Sequence, residues 1–150
     1  MGEIIPHILV IEARFYDNFS CMLLEGCTSV LKEKGVSWDL FETPGALEIP
    51  VAVSMAINTS RKGNKIYDGA VVLGVVIRGE TSHCDIIAQE VTHGLVDISI
   101  RYCFPIGNGI VVVDNEQQAY DRSSSDKLNR GGFAANAVLK MIELKNKLFT

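Results

Sequence analysis

Four things are missing from this chain of 150 residues, and each absence excludes a class of protein. There is no basic surplus: 14 Lys and Arg against 18 Asp and Glu leave a formal net charge of −4, with a pI of about 5.3. Proteins whose main ligand is nucleic acid carry a basic footprint, because phosphate neutralisation supplies most of their affinity. There is no Cys-x-x-Cys pair, and Cys21, Cys27, Cys84 and Cys103 are not spaced with histidines as in a zinc site. No metal is expected, and the thiols read as reduced, mostly buried groups of a cytoplasmic protein. No run approaches the ~18 apolar residues of a membrane span. Met1 to Pro6 lacks the basic and apolar regions of a signal peptide.

What is present is ordinary for a soluble globular protein, with 47% hydrophobic and 21% charged residues. The length suits a single domain over residues 1–150, able to bury about 70% of its unfolded surface without staples. A mean hydropathy of +0.20 is high for a monomer of this size and suggests apolar surface covered by further copies. No internal repeat, linker or low-complexity tract interrupts the chain.

Ile8 to Ile11 is a short apolar run of the kind a strand buried on both faces requires. From about Asn18 the period changes: Phe19, Met22, Leu23, Gly26, Val30 and Leu31 share one stripe of a helix that Gly35 ends. Val36 to Phe41 alternates as a strand near an edge, and Pro44-Gly45 breaks it. Ile49 to Ile57 has helical spacing, with Pro50 in a first turn where its missing N–H is not needed. Ser60 to Lys65 is a polar, basic turn.

Ala70 to Val76, the most apolar and β-branched run, should be a central strand. Thr81 or Ser82 caps a helix whose stripe is Ile86, Ile87, Val91, Leu95 and Ile98, ended by Phe104-Pro105. Gly109 to Val113 reads as another buried strand, Asn115 to Arg122 as a short helix, and Phe133 to Leu148 as a closing amphipathic helix.

Four strands alternating with helices predict an α/β fold: a three-layer αβα arrangement on a four-stranded parallel sheet, flavodoxin-like. Ligands of such sheets sit where strands end and helices begin. Four segments lie there: Ala13–Asp17, Thr43–Glu48, Val75–His83 and Asp114–Asn115.

The third segment runs Gly74-Val75-Val76-Ile77-Arg78-Gly79-Glu80-Thr81-Ser82-His83. A glycine and two hydroxyl residues open a helix whose first amides have no intrahelical partner, which suits a phosphate. Arg78 would strengthen such a site if it points inward. The plainer reading is a capped helix start, with Ser82 and Asp85 resembling a capping box. His83 falls in the first turn, where a neutral imidazole at a positive helix end can accept or relay a proton. A histidine with no chemical task is the competing reading. His7, ahead of a strand, and His93, in mid-helix, are weaker candidates. Glu48, after the Pro44-Gly45-Ala46 bend, could accept hydrogen bonds from a polyol or simply stabilise a helix start. Phe15 could stack on a planar ring or cover the core. Arg122, at a helix end, could clamp phosphate or favour the helix dipole.

Taken together, these residues resemble a known family. Pro44-Gly45-Ala46-Leu47-Glu48-Ile49-Pro50 and the Gly74–His83 stretch are similar to the two signature segments of the lumazine synthases (6,7-dimethyl-8-ribityllumazine synthases). The likeness continues through Ala13-Arg14-Phe15, Gln118-Ala119 with Arg122, and Asn129-Arg130-Gly131. It implies an enzyme of riboflavin biosynthesis, a transferase. Such an enzyme condenses 5-amino-6-(D-ribitylamino)uracil with 3,4-dihydroxy-2-butanone 4-phosphate, releasing phosphate and water, without metal or organic cofactor.

By that resemblance Phe15 stacks on the pyrimidine, and Ala46, Leu47 and Glu48 contact the pyrimidine and ribityl chain. Val75, Val76 and Ile77 line the ring pocket with backbone. Glu80 and Thr81 begin the phosphate-binding helix start, His83 moves protons, and Arg122 clamps phosphate. The resemblance further implies a homopentamer with each site between subunits, so that Asn108 and Arg122 reach into a neighbour's pocket. Members of the family also occur as larger shells of pentamers. The chain departs from the common pattern at Asn108, where an aromatic is frequent. It departs also at Leu47, where a larger ring is common, at Val112-Val113 in place of threonines, and at Arg130 in place of lysine. The alternatives are a carrier of flavin or lumazine that turns nothing over, and a riboflavin synthase of the same fold. Retention of both His83 and Arg122 speaks against a carrier.

Overall fold

The computed structural model describes residues 5–61 and 66–150. Most of the basic turn expected at Ser60 to Lys65 lies outside them. Among the described residues four strands and five α-helices follow one another: β1 (His7–Ala13), α1 (Asp17–Glu33), β2 (Ser37–Thr43), α2 (Ile49–Arg61), β3 (Gly69–Ile77), α3 (His83–Tyr102), β4 (Ile106–Val113), α4 (Glu116–Ser123) and α5 (Arg130–Leu148). A single 3₁₀ turn, Ala46–Glu48, leads into α2. The sheet is parallel throughout, in the order β2-β1-β3-β4, as a flavodoxin-like three-layer fold requires.

Alternation along the inner strands divides the core in two. Ile8 and Val10 of β1, with Val71, Leu73 and Val75 of β3, pack against Leu23, Cys27 and Leu31 of α1, Ala119 of α4 and Val138 of α5. Leu9, Ile11 and Ala13, with Ala70 and Val72, pack against Ile49 and Val53 of α2 and Val91, Leu95 and Ile98 of α3. Strands covered on both faces read as continuous apolar runs, which is why β1 and β3 stand out in the sequence. Burying each such Ile or Leu side chain is worth about 1.5–3 kcal/mol.

The chain runs from β1 out to β2, then back past β1 to β3. Right-handed crossovers in opposite directions put α1 on one face and α2 and α3 on the other. The switch point therefore lies between the carboxyl ends of β1 and β3. There the two strands end unevenly. β1 pairs with β3 only as far as Glu12↔Leu73, whereas β3 continues beside β4 to Ile77↔Val113. Val75, Val76 and Ile77 thus have strand pairing on the β4 side and none on the β1 side.

Several expectations need correction. β4 is an edge strand, not a fully buried one: Asn108 and Val112 are exposed, while Gly107, Gly109, Val111 and Val113 face the core. An apolar run does not reveal whether a further strand lies beside it. Ile86, expected on the buried stripe of α3, is 53% exposed; Cys84 takes part in that stripe instead. All four cysteines are free, but only Cys27 and Cys84 are buried, while Cys21 and Cys103 are exposed. Burial pushes the Cys27 thiol up to about 12, so it stays an unreactive thiol at neutral pH. α5 starts at Arg130, one turn before Phe133, because Asn129 caps it by accepting from the Gly132 amide at 3.2 Å.

Candidate active site

Three loops meet at the switch point. In the first, between β1 and α1, Phe15 is 78% exposed and its ring meets Tyr16 edge-on, with centroids 4.9 Å apart. The backbone of that loop is fastened from below. Glu12, only 4% exposed, accepts from Arg14 Nη1 with both carboxylate oxygens at 3.1 Å, and Arg14 Nη2 reaches Cys21 Sγ of α1 at 2.9 Å.

Burial raises the Glu12 carboxyl above its ordinary value of 4.5, against the opposing pull of Arg14. A carboxyl raised by folding adds stability below its unfolded value and loses it as pH climbs through its folded one. At pH 7 its ionisation is therefore a cost that glutamine escapes. Glu12→Gln should gain in urea midpoint relative to the parent chain between pH 4 and pH 7. A gap that stays constant over that interval would show Glu12 to be electrostatically indifferent to folding.

In the second loop, after β2, Thr43 Oγ1 donates to the Gly45 carbonyl at 2.8 Å and the chain enters the 3₁₀ turn of Ala46, Leu47 and Glu48. The Glu48 side chain folds back over Gly45: a Cβ at that glycine would lie 3.0 Å from Glu48 Oε2. The turn contacts both β3 and α3, so Leu47 and Glu48, both exposed, sit beside the third loop.

That loop follows β3. Val75 and Val76 are buried and Ile77 half-buried, so what they can offer a ligand is backbone. Gly79 to Ser82 are exposed, and the amides of Glu80, Thr81 and Ser82 donate to no backbone carbonyl among the described residues. The capping box does not form. Ser82 makes no side-chain cap bond, and Asp85 turns to Arg78 instead. His83, the first residue of α3, is exposed, and its N–H donates to Thr81 Oγ1 at 3.3 Å.

Arg78, which would strengthen an anion site if it pointed inward, is instead paired with two carboxylates of its own chain. Its Nη1 and Nη2 donate to Asp85 at 3.2 and 2.8 Å, and its Nε donates to Asp114 at 2.9 Å. No periodicity joins residues 78, 85 and 114, so the sequence carried no sign of this cluster.

Asn108 and Arg122 are not brought to this crevice. Asn108 stands opposite Val72, five residues before the end of β4, roughly 16 Å back along the strand at ~3.3 Å per residue. Its Oδ1 accepts from the Ile110 amide at 2.9 Å. Arg122 is half-buried near the end of α4, which packs with α1 and α5 on the other face of the sheet; its Nη1 donates to the Gln118 carbonyl at 3.4 Å.

His7 is occupied elsewhere. At the amino end of the sheet its Nδ1 lies 2.7 Å from Ser37 Oγ and its Nε2 3.0 Å from Asp39 Oδ2, with the ring stacked on Tyr67. It ties β1 to β2. No group of three or more His, Cys, Asp or Glu among the described residues could hold a metal ion. No helix among them is long and apolar enough to cross a membrane.

The fold is that of flavodoxin-like α/β proteins, which bind small molecules at the switch point where Phe15, Glu48 and the amides before α3 lie. The family model for 6,7-dimethyl-8-ribityllumazine synthase matches residues 6–146. A 6,7-dimethyl-8-ribityllumazine synthase of Agrobacterium fabrum is 49% identical over 143 residues, 95% of this chain and 97% of the relative. One of Bartonella tribocorum is 48% identical over 143 residues, 95% and 91% of the two chains. The 6,7-dimethyl-8-ribityllumazine synthase 1 of Rhizobium meliloti is 46% identical over 149 residues, 99% and 97%. The chain belongs to the 6,7-dimethyl-8-ribityllumazine synthase family, and is a transferase of riboflavin biosynthesis.

Proposed function

We propose that this single-domain chain joins 5-amino-6-(D-ribitylamino)uracil to 3,4-dihydroxy-2-butanone 4-phosphate in the crevice between β1 and β3. The observation that carries the reading is the unpaired β1-facing side of Val75–Ile77, directly before the free amides of Glu80, Thr81 and Ser82. A strand edge presents donors and acceptors in the row that a planar pyrimidine edge needs, and helix-start amides favour a phosphate.

Phe15 stacks on the ring, while Ala46 and Leu47 close over it and Glu48 accepts from ribityl hydroxyls. Glu80 and Thr81 shape the cradle for the phosphate ester. The pyrimidine amine attacks the ketone and loses water to give an imine, and elimination of phosphate leaves an enol that becomes a second ketone. The ribitylamino nitrogen closes the second ring on that ketone with loss of a second water. Each step moves protons or expels phosphate. His83 supplies the proton relay, and no cofactor is needed. Holding the two reactants in register can be worth about 7–11 kcal/mol of barrier.

Arg122 and Asn108 join the site from a neighbouring subunit of a homopentamer, Arg122 on the phosphate and Asn108 on a pyrimidine edge. What supports a shared site is that Asn108 lies well back along β4 from its own chain's crevice, while Arg122 lies on α4 with its Nη1 on the Gln118 carbonyl. What supports self-association is a second apolar face on α3, where Ile86, Val96 and Ile100 are 53%, 50% and 73% exposed, continued by Val51 and Met55 on α2. Light scattering should give a mass about five times the 16.4 kDa of one chain, or a multiple of that; a monomer would remove the shared site. The enzyme would work in the cytoplasm, where its thiols stay reduced.

The test of function mixes the purified protein with both substrates and follows lumazine fluorescence together with released phosphate. Both signals are expected in equal amounts. Neither would indicate a flavin or lumazine carrier, and riboflavin formed from lumazine alone would indicate a riboflavin synthase.

A further inference from the structure

An anion site built beside two carboxylates poses an electrostatic problem. Asp85 lies in the first turn of α3, and Asp114 follows the last residue of β4; their side chains are 51% and 64% exposed. Both stand next to the loop whose free amides face a phosphate in the reading above. Unpaired, each would offset the positive helix end, and Asp85 could turn back onto the amides themselves, as its spacing from Ser82 suggests. Neither happens, because one side chain meets both: Arg78 spends Nη1 and Nη2 on Asp85 and Nε on Asp114.

We propose that Arg78 is the positioning residue of the phosphate cradle, a brace that cancels Asp85 and Asp114 and fixes the loop from Gly79 to Ser82 without touching the phosphate. The proposal rests on the cradle reading and gives it a shape. Arg78 begins the loop, its own amide donates to the Val113 carbonyl at 2.8 Å, and its side chain joins the ends of β3 and β4 to the start of α3. The loop is thereby held at its first residue and at the helix it enters. Gly79 next to it has nothing within reach of a Cβ, so no packing holds the loop there. The guanidinium keeps the Asp85 carboxyl below its usual range through hydrogen bonds and charge, so Asp85 is ionised wherever the enzyme works. A forked, two-acid arrangement of this kind needs the planar five-donor head of arginine; lysine reproduces the charge but not the fork.

The experiment compares the native sequence with Arg78→Ala, Arg78→Lys and the triple variant Arg78→Ala/Asp85→Asn/Asp114→Asn. It reads inhibition by inorganic phosphate and KM for each substrate, at low and high salt. In Arg78→Ala, phosphate inhibition and KM for the phosphate ester should weaken about tenfold, the scale of an uncompensated charge in partly screened surroundings. KM for the pyrimidine should stay within about twofold. The loss should shrink in high salt. Arg78→Lys should fall between, and serves if the alanine variant does not fold. The triple variant, with acids and base removed together, should recover most of the loss. Failure to recover would mean that cancelling Asp85 and Asp114 is not what Arg78 does for the cradle, and an unchanged phosphate response in Arg78→Ala would mean that the brace is idle; either overturns the proposal. If the native protein shows no phosphate inhibition at all, the cradle reading falls first and the brace with it.

Discussion

Replacing His83 with alanine should slow turnover by about 10²–10⁴-fold, the usual contribution of one general acid–base group, without abolishing it. His83 stands exposed at the start of α3, and its imidazole makes no hydrogen bond among the described residues, so its loss disturbs little else. What remains is the larger part of the acceleration. In the proposed site the strand edge at Val75–Ile77 and the amides at Glu80–Ser82 would still hold the two reactants side by side, and that positioning would not depend on a proton relay. The loss should fall on kcat, with KM for either substrate changing little. Steady-state kinetics on both substrates decide the matter. An unaltered kcat would assign the relay to another group. Complete inactivity in a variant that still binds both substrates would give His83 a greater share than this account allows.

Gly131→Ala should destabilise the fold by about 3 kcal/mol or more, lowering Tm by roughly 6–12 °C for a chain of this length. Two effects oppose each other. Alanine in a helix gains up to about 1 kcal/mol over glycine. Against that, a Cβ on Gly131 would run into the Leu23 carbonyl oxygen of α1, which is backbone and cannot swing aside. The same crossing needs Gly26 on α1, where a Cβ would meet the Asn129 side chain and, at 3.2 Å, the Gly132 amide nitrogen. The helices approach so closely that steric overlap outweighs propensity. Thermal unfolding measures the balance, and a Tm at or above that of the parent chain would mean that α1 and α5 pack less closely than described.

Much of the fold could be read from periodicity because the central strands are covered on both faces. β1 and β3 announce themselves as unbroken apolar runs, and the stripe of Phe19, Leu23 and Leu31 defines α1. What periodicity misses is context. β4 looks as buried as β3 until its missing neighbour is known, and Ile86 fits a core stripe although it faces outward. The crevice was legible for a topological reason: Phe15, Ala46 to Glu48 and Glu80 to His83 all follow strands of one parallel sheet. Arg78 was legible as a cation near that edge but not in its partners, which stand seven and 36 residues away. Asn108 and Arg122 carry no local signal of a second subunit, and only the resemblance to the family suggested where they belong.

The most direct measurement is a crystal structure of the protein with a non-reactive analogue of the ribitylaminouracil and inorganic phosphate. The account predicts the ring against Phe15 with its edge on the backbone of Val75–Ile77, the ribityl chain at Glu48, and phosphate on the amides of Glu80–Ser82. Density for the ring and the anion at any other place, with the β1–β3 crevice left to solvent, would contradict it.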